Sequence, residues 1–255
     1  MLLIFILLGF IQGITEPIPI SSSGHLLIFQ KIFNCNINFE ILSTITNLGS
    51  LIAITIIFKD KIIHLFKNKK NNNFYLYKII IATLPAAIIG LIITKLNIFN
   101  YLEDNIKFVG ITLLITSLFL FSIRNYQGIK KENNISFKDA FIIGLFQVIA
   151  LIPGISRSGS TIVGGMYRNL DRKTSFDFSF MLYIPISIAT SILGLSNLIH
   201  SNLTINEISL YLVSMITSFI FTYISLNWFR NIIVKGKLIY FVIYCLIIGT
   251  IILFI

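Results

Sequence analysis

Charge is scarce in this sequence. Asp, Glu, Lys and Arg make up 12% of its 255 residues, against the roughly 25% that gives a soluble domain its wettable surface. With 56% hydrophobic residues and a mean hydropathy of +0.89, lipid has to take the place of water around most of the chain. Acid is scarcer than base, with ten Asp and Glu against 20 Lys and Arg and a net charge of +10. A balance that basic can signal nucleic acid. Here, however, the cations lie in short runs between apolar stretches, where they orient a membrane protein, and nucleic acid is not an expected partner. Cysteine is limited to Cys35 and Cys245, too far apart for a metal or disulfide spacing. The apolar first fourteen residues lack a basic leader, since the first cation is Lys31, and no small-x-small cleavage site follows. They are expected to stay in the mature protein.

Six apolar stretches are present, at 41–58, 79–96, 108–123, 176–199, 208–229 and 238–255. Several fall short of the ~20 residues that a perpendicular span needs, so their ends should extend into the loops. Sixteen of the 20 Lys and Arg lie in the intervening loops 59–78, 124–138, 168–175 and 230–237. The loops 97–107 and 200–207 carry Glu103, Asp104 and Glu207, with Lys107 as their cation. The four basic loops are therefore expected on the cytoplasmic side. Residues 139–167 then have basic loops on both flanks and must cross an even number of times, yet 29 residues are too few for two full spans. A re-entrant hairpin is expected, with the breaker-rich LIPGISRSGST at its tip. Such backbone is tolerated at depth when buried in protein or lining a wet cavity. Residues 1–30, interrupted by TEPIPISSSGH, read as a second hairpin entering from outside.

A repeat joins the two. Shifted by 135 positions, Gly9–Gly24 falls on Gly144–Gly159 without a gap and with seven of sixteen positions identical. The shared positions include Gly9/Gly144, Gln12/Gln147, Ser21/Ser156, Ser23/Ser158 and Gly24/Gly159. Each half, about 1–123 and 139–255, holds one hairpin and three spans, and an odd number of spans gives the halves opposite orientation. The expected fold is a single all-α polytopic membrane domain with an inverted-topology repeat, six transmembrane helices and two re-entrant helical hairpins. In such architectures the broken helices usually mark the site.

Ionisable groups at the hairpin tips are few: Glu16 and His25 in the first, Arg157 in the second. Charge inside a membrane is costly and by default functional, although a Glu16–Arg157 pair that only keeps the hairpins in register is a structural alternative. Around these residues, Ser21-Ser22-Ser23-Gly24 and Ser156-Arg157-Ser158-Gly159-Ser160-Thr161 place hydroxyls and glycines near helix N-termini. Exposed amides at a positive dipole end favour anions, and the arginine fork matches phosphate oxygens. A serine near a histidine and a carboxylate can act as an activated nucleophile. Together the groups point to phosphoryl transfer. Ser21 and Ser23 recur in the repeat and read as turn builders, whereas Ser22 has Arg157 as its partner.

Gln12-Gly-Ile-Thr-Glu16, Pro19-Ile-Ser-Ser-Ser-Gly-His25 and Pro153-Gly-Ile-Ser-Arg-Ser-Gly-Ser-Thr161, with the length and span order, resemble the undecaprenyl-pyrophosphate phosphatases of the bacitracin-resistance type. The resemblance covers essentially the whole chain. It implies that Glu16, Ser22, His25 and Arg157 are catalytic and that Ser156 and Thr161 bind phosphate. Gln12, Ser21, Gly24 and Ser158, from the same motifs, complete the expected substrate-binding set. It also implies a divalent cation, Mg2+ or Ca2+, with Glu16 as a ligand. The substrate would be a polyprenyl pyrophosphate lipid, whose hydrolysis recycles the carrier for peptidoglycan synthesis and accompanies bacitracin resistance. The setting would be the bacterial cytoplasmic (inner) membrane, with the site open to its outer face and a homodimer allowed. Many members have glutamate where this chain has Gln12, and an amide is the poorer cation ligand. In the implied mechanism Ser22 attacks or orients a water, and His25 and Glu16 share proton transfer. A lipid or anion transporter of the same architecture is the competing reading, but it has no need of a serine–histidine–glutamate set.

The charge pattern generates a topological prediction. A cysteine probe at Asn202 should react with an impermeant reagent from outside and one at Asn72 should be spared; the reverse labelling would remove the hairpin inference.

Overall fold

The computed structural model describes residues 1–255 except 36, 68, 97, 99–104, 200, 202 and 255, together with the backbone but not the side chains of 69–73, 197 and 199. Glu103 and Asp104 of the charge argument and Asn202 of the labelling prediction lie outside the described residues, as does the side chain of Asn72.

The described chain is helical, without named strands. In order, the helices are α1 (Leu2–Thr15), α2 (Ser22–Ile32), α3 (Phe39–Ile57), α4 (Lys59–Lys67), α5 (Lys69–Lys95), α6 (Ile106–Ile123), α7 (Phe137–Ile149), α8 (Arg157–Tyr167), α9 (Arg172–Ile199), α10 (Ile205–Val234) and α11 (Ile239–Phe254). Among the described residues five stretches are long and apolar enough to cross a membrane: Phe39–Ile57, Phe74–Lys95, Ile106–Ile123, Arg172–Ser196 and Ile205–Val234. They coincide with five of the six expected spans and run past most of their ends, α10 reaching 30 residues. The sixth stretch forms α11, an apolar helix of 16 residues. Residues 59–78 are not the loop that the sequence suggests. Nine of them form the amphipathic helix α4, and α5 already begins at Lys69. The lysines there lower the mean hydropathy without preventing helix formation, since lysine is a good helix former.

Both broken segments fold as helix, break, helix. Pro17 and Pro19 occupy the break between α1 and α2, and Pro153 and Gly154 that between α7 and α8. Helix packing follows an exchanged pattern: α1 lies against α10, while α7 lies against α5. Gly9 and Gly144, paired in the repeat, make these approaches close. A Cβ on Gly9 would stand 2.4 Å from the Ser214 carbonyl oxygen, and one on Gly144 would stand 2.6 Å from that of Ala82. Lipid tails are as apolar as leucine, so membrane helices associate through close backbone approach and hydroxyl contacts. The α3–α10 seam shows the latter: Ser50 Oγ is 2.9 Å from Ser218 Oγ and 2.8 Å from Thr222 Oγ1.

Asp139 anchors the second hairpin. It is fully buried at the start of α7 and closes a capping box with Ser136. Lys130 Nζ lies 3.0 Å from Oδ2 and Arg168 Nε 2.8 Å from Oδ1, so one carboxylate ties both flanks of the hairpin. Burial alone would push this carboxyl upward. The hydrogen bonds from Ser136, Lys130 and Arg168 outweigh it and hold the group down at about 2, below the ordinary 3.8. A depressed carboxyl stabilises the fold above its unfolded value and loses that contribution as pH falls through the folded one. The stability gap between wild type and Asp139→Asn should therefore be full above pH 3.8 and shrink toward about pH 2. Thermal unfolding of both proteins in detergent across this range is the measurement, and a pH-independent gap would exclude the assignment.

Candidate active site

The two helix breaks meet. A Cβ on Gly24 would lie 3.3 Å from Gly154 Cα, and one on Gly159 would lie 3.3 Å from Pro19 Cβ, so each tip packs on the other. Repeat-related serines start both second helices. Ser21 Oγ accepts from the Gly24 amide at 3.3 Å, and Ser156 Oγ accepts from the Gly159 amide at 3.1 Å. Each satisfies a donor that a helix start leaves unpaired. The second serines follow suit, with Ser21–Ser23 hydroxyl oxygens 3.4 Å apart and Ser156–Ser158 3.3 Å apart. Thr116 Oγ1 accepts from the Ser156 amide at 3.2 Å and fixes the second tip to α6. Ser21 itself sits at φ 68, a left-handed conformation that is uncommon for a side-chain-bearing residue.

Between the tips lies a cavity of about 290 Å3. Its wall includes Gln12, Glu16, Ser21, Ser22, Ser23, Ser156, Arg157 and Ser158, so the N-termini of α2 and α8 both reach it. Glu16, at the C-terminal end of α1, is 9% exposed and forms the hub. Gln12 Nε2 donates to its Oε2 at 3.0 Å, the Ser22 hydroxyl donates to the same oxygen, and Arg157 Nη2 donates to Oε1 at 2.6 Å. The Arg157 guanidinium lies over the Tyr183 ring, 4.0 Å from its centroid, and its Nη1 is buried without a hydrogen-bond partner among the described residues. The wall thus offers a hydroxyl bonded to a carboxylate, a spare guanidinium nitrogen and two positive helix ends. That combination can hold an anion and activate an oxygen nucleophile beside it.

Seven of the expected site residues line this cavity: Gln12, Glu16, Ser21, Ser22, Ser156, Arg157 and Ser158. Gly24, Thr161 and His25 do not line it. Gly24 gives its amide to the Ser21 cap and its missing side chain to tip packing. The Thr161 hydroxyl turns back to the Arg157 carbonyl at 2.9 Å and meets Ser179 Oγ at 2.5 Å, as hydroxyls inside helices tend to do. His25 lies on the other side of the tip, in an apolar groove of about 550 Å3 with Tyr244. Its Nδ1 is 2.7 Å from the Ser21 carbonyl oxygen and its Nε2 2.8 Å from the Tyr244 hydroxyl, with no hydrogen bond to Ser22 or Glu16 among the described residues. Conversely, the sequence did not single out Tyr183 or Asn47. Both line the cavity, and Tyr183 donates to Asn47 Oδ1 at 2.7 Å. One aromatic and one amide within apolar spans carry no spacing signal.

Among the described residues no three His, Cys, Asp or Glu side chains cluster as a metal site. Around the cavity the protein offers one carboxylate, already paired with Arg157, and the Gln12 amide donates its nitrogen toward that carboxylate. This donor set fits a hard divalent cation where substrate phosphate oxygens complete the shell, a common arrangement for Mg2+.

Comparison with known proteins follows the same residues. The family described as "Bacitracin resistance protein BacA" matches residues 5–251. A relative from Bacillus licheniformis named undecaprenyl-diphosphatase 1 is 44% identical over 262 residues, covering 98% of this chain and 96% of its own. One of the same name from Bacillus cereus is 42% identical over 257 residues, covering 96% and 94%. An undecaprenyl-diphosphatase from Oceanobacillus iheyensis is 42% identical over 265 residues, covering 98% and 94%.

Proposed function

The chain belongs to the bacitracin resistance protein BacA family, and from that premise we propose that it hydrolyses undecaprenyl diphosphate to the lipid monophosphate and inorganic phosphate. The observation that carries this reading is the Ser22–Glu16–Arg157 chain, set between two helix N-termini. The relatives named undecaprenyl-diphosphatase support the substrate. The product monophosphate re-enters cell-wall polymer synthesis in the bacterial cytoplasmic membrane.

In the mechanism we favour, the terminal phosphoryl group lies between the helix ends with Arg157 Nη1 on one of its oxygens. Ser22 Oγ forms a bond to the terminal phosphorus as the bridging oxygen leaves with the lipid monophosphate. The hydroxyl proton passes to Glu16 Oε2. Water then cleaves the phosphoserine, Glu16 returns the proton to Ser22 Oγ, and inorganic phosphate departs. Arg157 and the helix ends offset the growing charge on the phosphoryl oxygens, which is the main protein contribution in this chemistry. His25 acts as a positioning residue for Ser21 rather than as the base. Glu16 is the residue that would hold a divalent cation, which would supply further charge neutralisation when bound.

The lipid tail has a matching surface. Thr15 and Ile18 line both the polar cavity and the apolar groove, whose other walls include Phe10, Phe29, Phe33 and Trp228. An amphipathic substrate can therefore place its pyrophosphate in one and its first isoprene units in the other. The exchanged contacts of α1 with α10 and α7 with α5 support two inverted halves with re-entrant hairpins, and α11 then makes the sixth crossing.

Release of phosphate from undecaprenyl diphosphate by the purified protein in detergent tests the reading directly, and no release above background would reject it. Two variants test the assignments. Arg157→Lys keeps the charge but loses the fork and the flat contact with Tyr183, so turnover should fall on the order of 10²-fold with normal membrane insertion. Near-full activity would return Arg157 to a purely structural role. Ser22→Ala should abolish phosphate release yet still bind the pyrophosphate lipid, whereas Ser23→Ala should be tolerated. Wild-type turnover in Ser22→Ala would leave the attack to a water on Glu16.

A further inference from the structure

At the lysine-rich end of the molecule a second pocket, of about 520 Å3, is bounded by α4, α5 and the turn Glu132–Asn134. It shares no lining residue with the Ser22–Glu16 cavity. Lys61, His64, Tyr75, Lys78 and Glu132 line it, and their charges do not cancel. Lys61 Nζ lies 2.6 Å from Glu132 Oε2. Lys78 is 9% exposed and, among the described residues, has no carboxylate within ion-pairing distance. The nearby acids are already engaged, Asp139 by Lys130 and Arg168 and Asp177 by Arg230. Tyr75 is 7% exposed, lines the pocket, and its hydroxyl has no hydrogen-bond partner among the described residues.

A buried hydroxyl without an acceptor is unfavourable, as is a largely covered lysine without a counter-charge, and one anion that accepts from both relieves both. With Glu132 offset by Lys61, Lys78 leaves one positive charge on the wall, matching a phosphate diester or a singly charged phosphate. The membrane surface is also close. The neighbouring helix α4 exposes Ile63 and Phe66 alongside its lysines, the pattern of a helix lying at a lipid interface. Basic pockets between membrane helices are recurrent sites for anionic headgroups.

We propose that this pocket is a second anion site that binds a phosphate group through Lys78, Lys61 and the Tyr75 hydroxyl, separate from the phosphoryl-transfer site. The chemistry is shared by an anionic lipid headgroup and by free inorganic phosphate, and the test separates them.

The full-length protein, purified in neutral detergent, is titrated with dihexanoyl phosphatidylglycerol, and binding to wild type is compared with binding to Lys78→Met, Tyr75→Phe and Lys59→Gln. Lys59 is exposed and outside the pocket, so its variant controls for general surface charge. Lys78→Met should weaken binding at least about fivefold and Tyr75→Phe more modestly, with Lys59→Gln unchanged. Because Lys78 makes no ion pair among the described residues, Lys78→Met should leave the thermal midpoint equal or higher, which separates lost binding from lost folding. Inorganic phosphate that displaces the lipid in a Lys78-dependent way identifies free phosphate as an occupant, and failure to displace it identifies the headgroup. Wild-type affinity in both pocket variants, or an equal loss in Lys59→Gln, overturns the proposal. The Ser22–Glu16 site is the same in every protein compared, so the outcome does not depend on the activity assigned to it.

Discussion

The Glu16–Arg157 ion pair is the interaction on which the rest of the site depends. It joins residues 141 apart in sequence, one at the end of α1 and one at the start of α8, at 2.6 Å. Alone in a membrane interior each group would be costly, and removing one partner would leave the other buried and uncompensated. Together they hold two helix breaks in contact. The breaks themselves can exist at depth because their polar backbone is satisfied within the protein: Ser21 and Ser156 cap the helix starts, and Thr116 takes the Ser156 amide. With the tips apposed, Ser22 reaches the carboxylate that Arg157 holds.

The division of labour between the tips follows from a duplicated turn that has diverged at one place. The capping serines, their second serines and the glycines that let the tips touch keep the same tasks in both hairpins. Gly9 and Gly144 likewise keep the same task against different partner helices. At the central position one tip carries Ser22 and the other Arg157. Two copies of either residue would give two nucleophiles without a clamp, or two cations facing each other across one carboxylate. The asymmetry supplies one of each.

Most of this was legible in the sequence, because its signals are coarse and physical. Hydropathy located the spans, Pro17, Pro19, Pro153 and Gly154 located the breaks, and the repeat pointed to the two tips meeting. What the sequence does not carry is direction in space. His25 is three residues from Ser22, yet lies in the apolar groove with Tyr244. Thr161 is one turn past Arg157, and its hydroxyl bonds back to its own helix. Tyr183 and Asn47 are single polar or aromatic residues in apolar helices, where only the packing of α9 on α3 reveals that they share a wall. Helix α4 was hidden because its nine residues mix three lysines, Asp60 and His64 with four apolar side chains, a short pattern that a span-length average dilutes.

Two details of hydrogen bonding settle how structure and chemistry coexist at this site. The Ser21 carbonyl can only accept, so His25 Nδ1 carries the proton toward it, and in the neutral ring Nε2 then accepts from the Tyr244 hydroxyl. Nδ1 thus holds the carbonyl of Ser21, the residue in the left-handed conformation just before Ser22, while Nε2 holds Tyr244. Glu16, already bonded to the Ser22 hydroxyl, has the shortest path for its proton. Arg157 has two terminal nitrogens with different fates. Nη2 is committed to Glu16 and keeps the tips in register, while Nη1 is buried and unclaimed. An arriving phosphoryl oxygen can take Nη1 without breaking the pair. The structural role of Arg157 and the phosphate-binding role proposed for it are therefore not alternatives, because the guanidinium fork that fixes the two hairpins also presents the free donor between them.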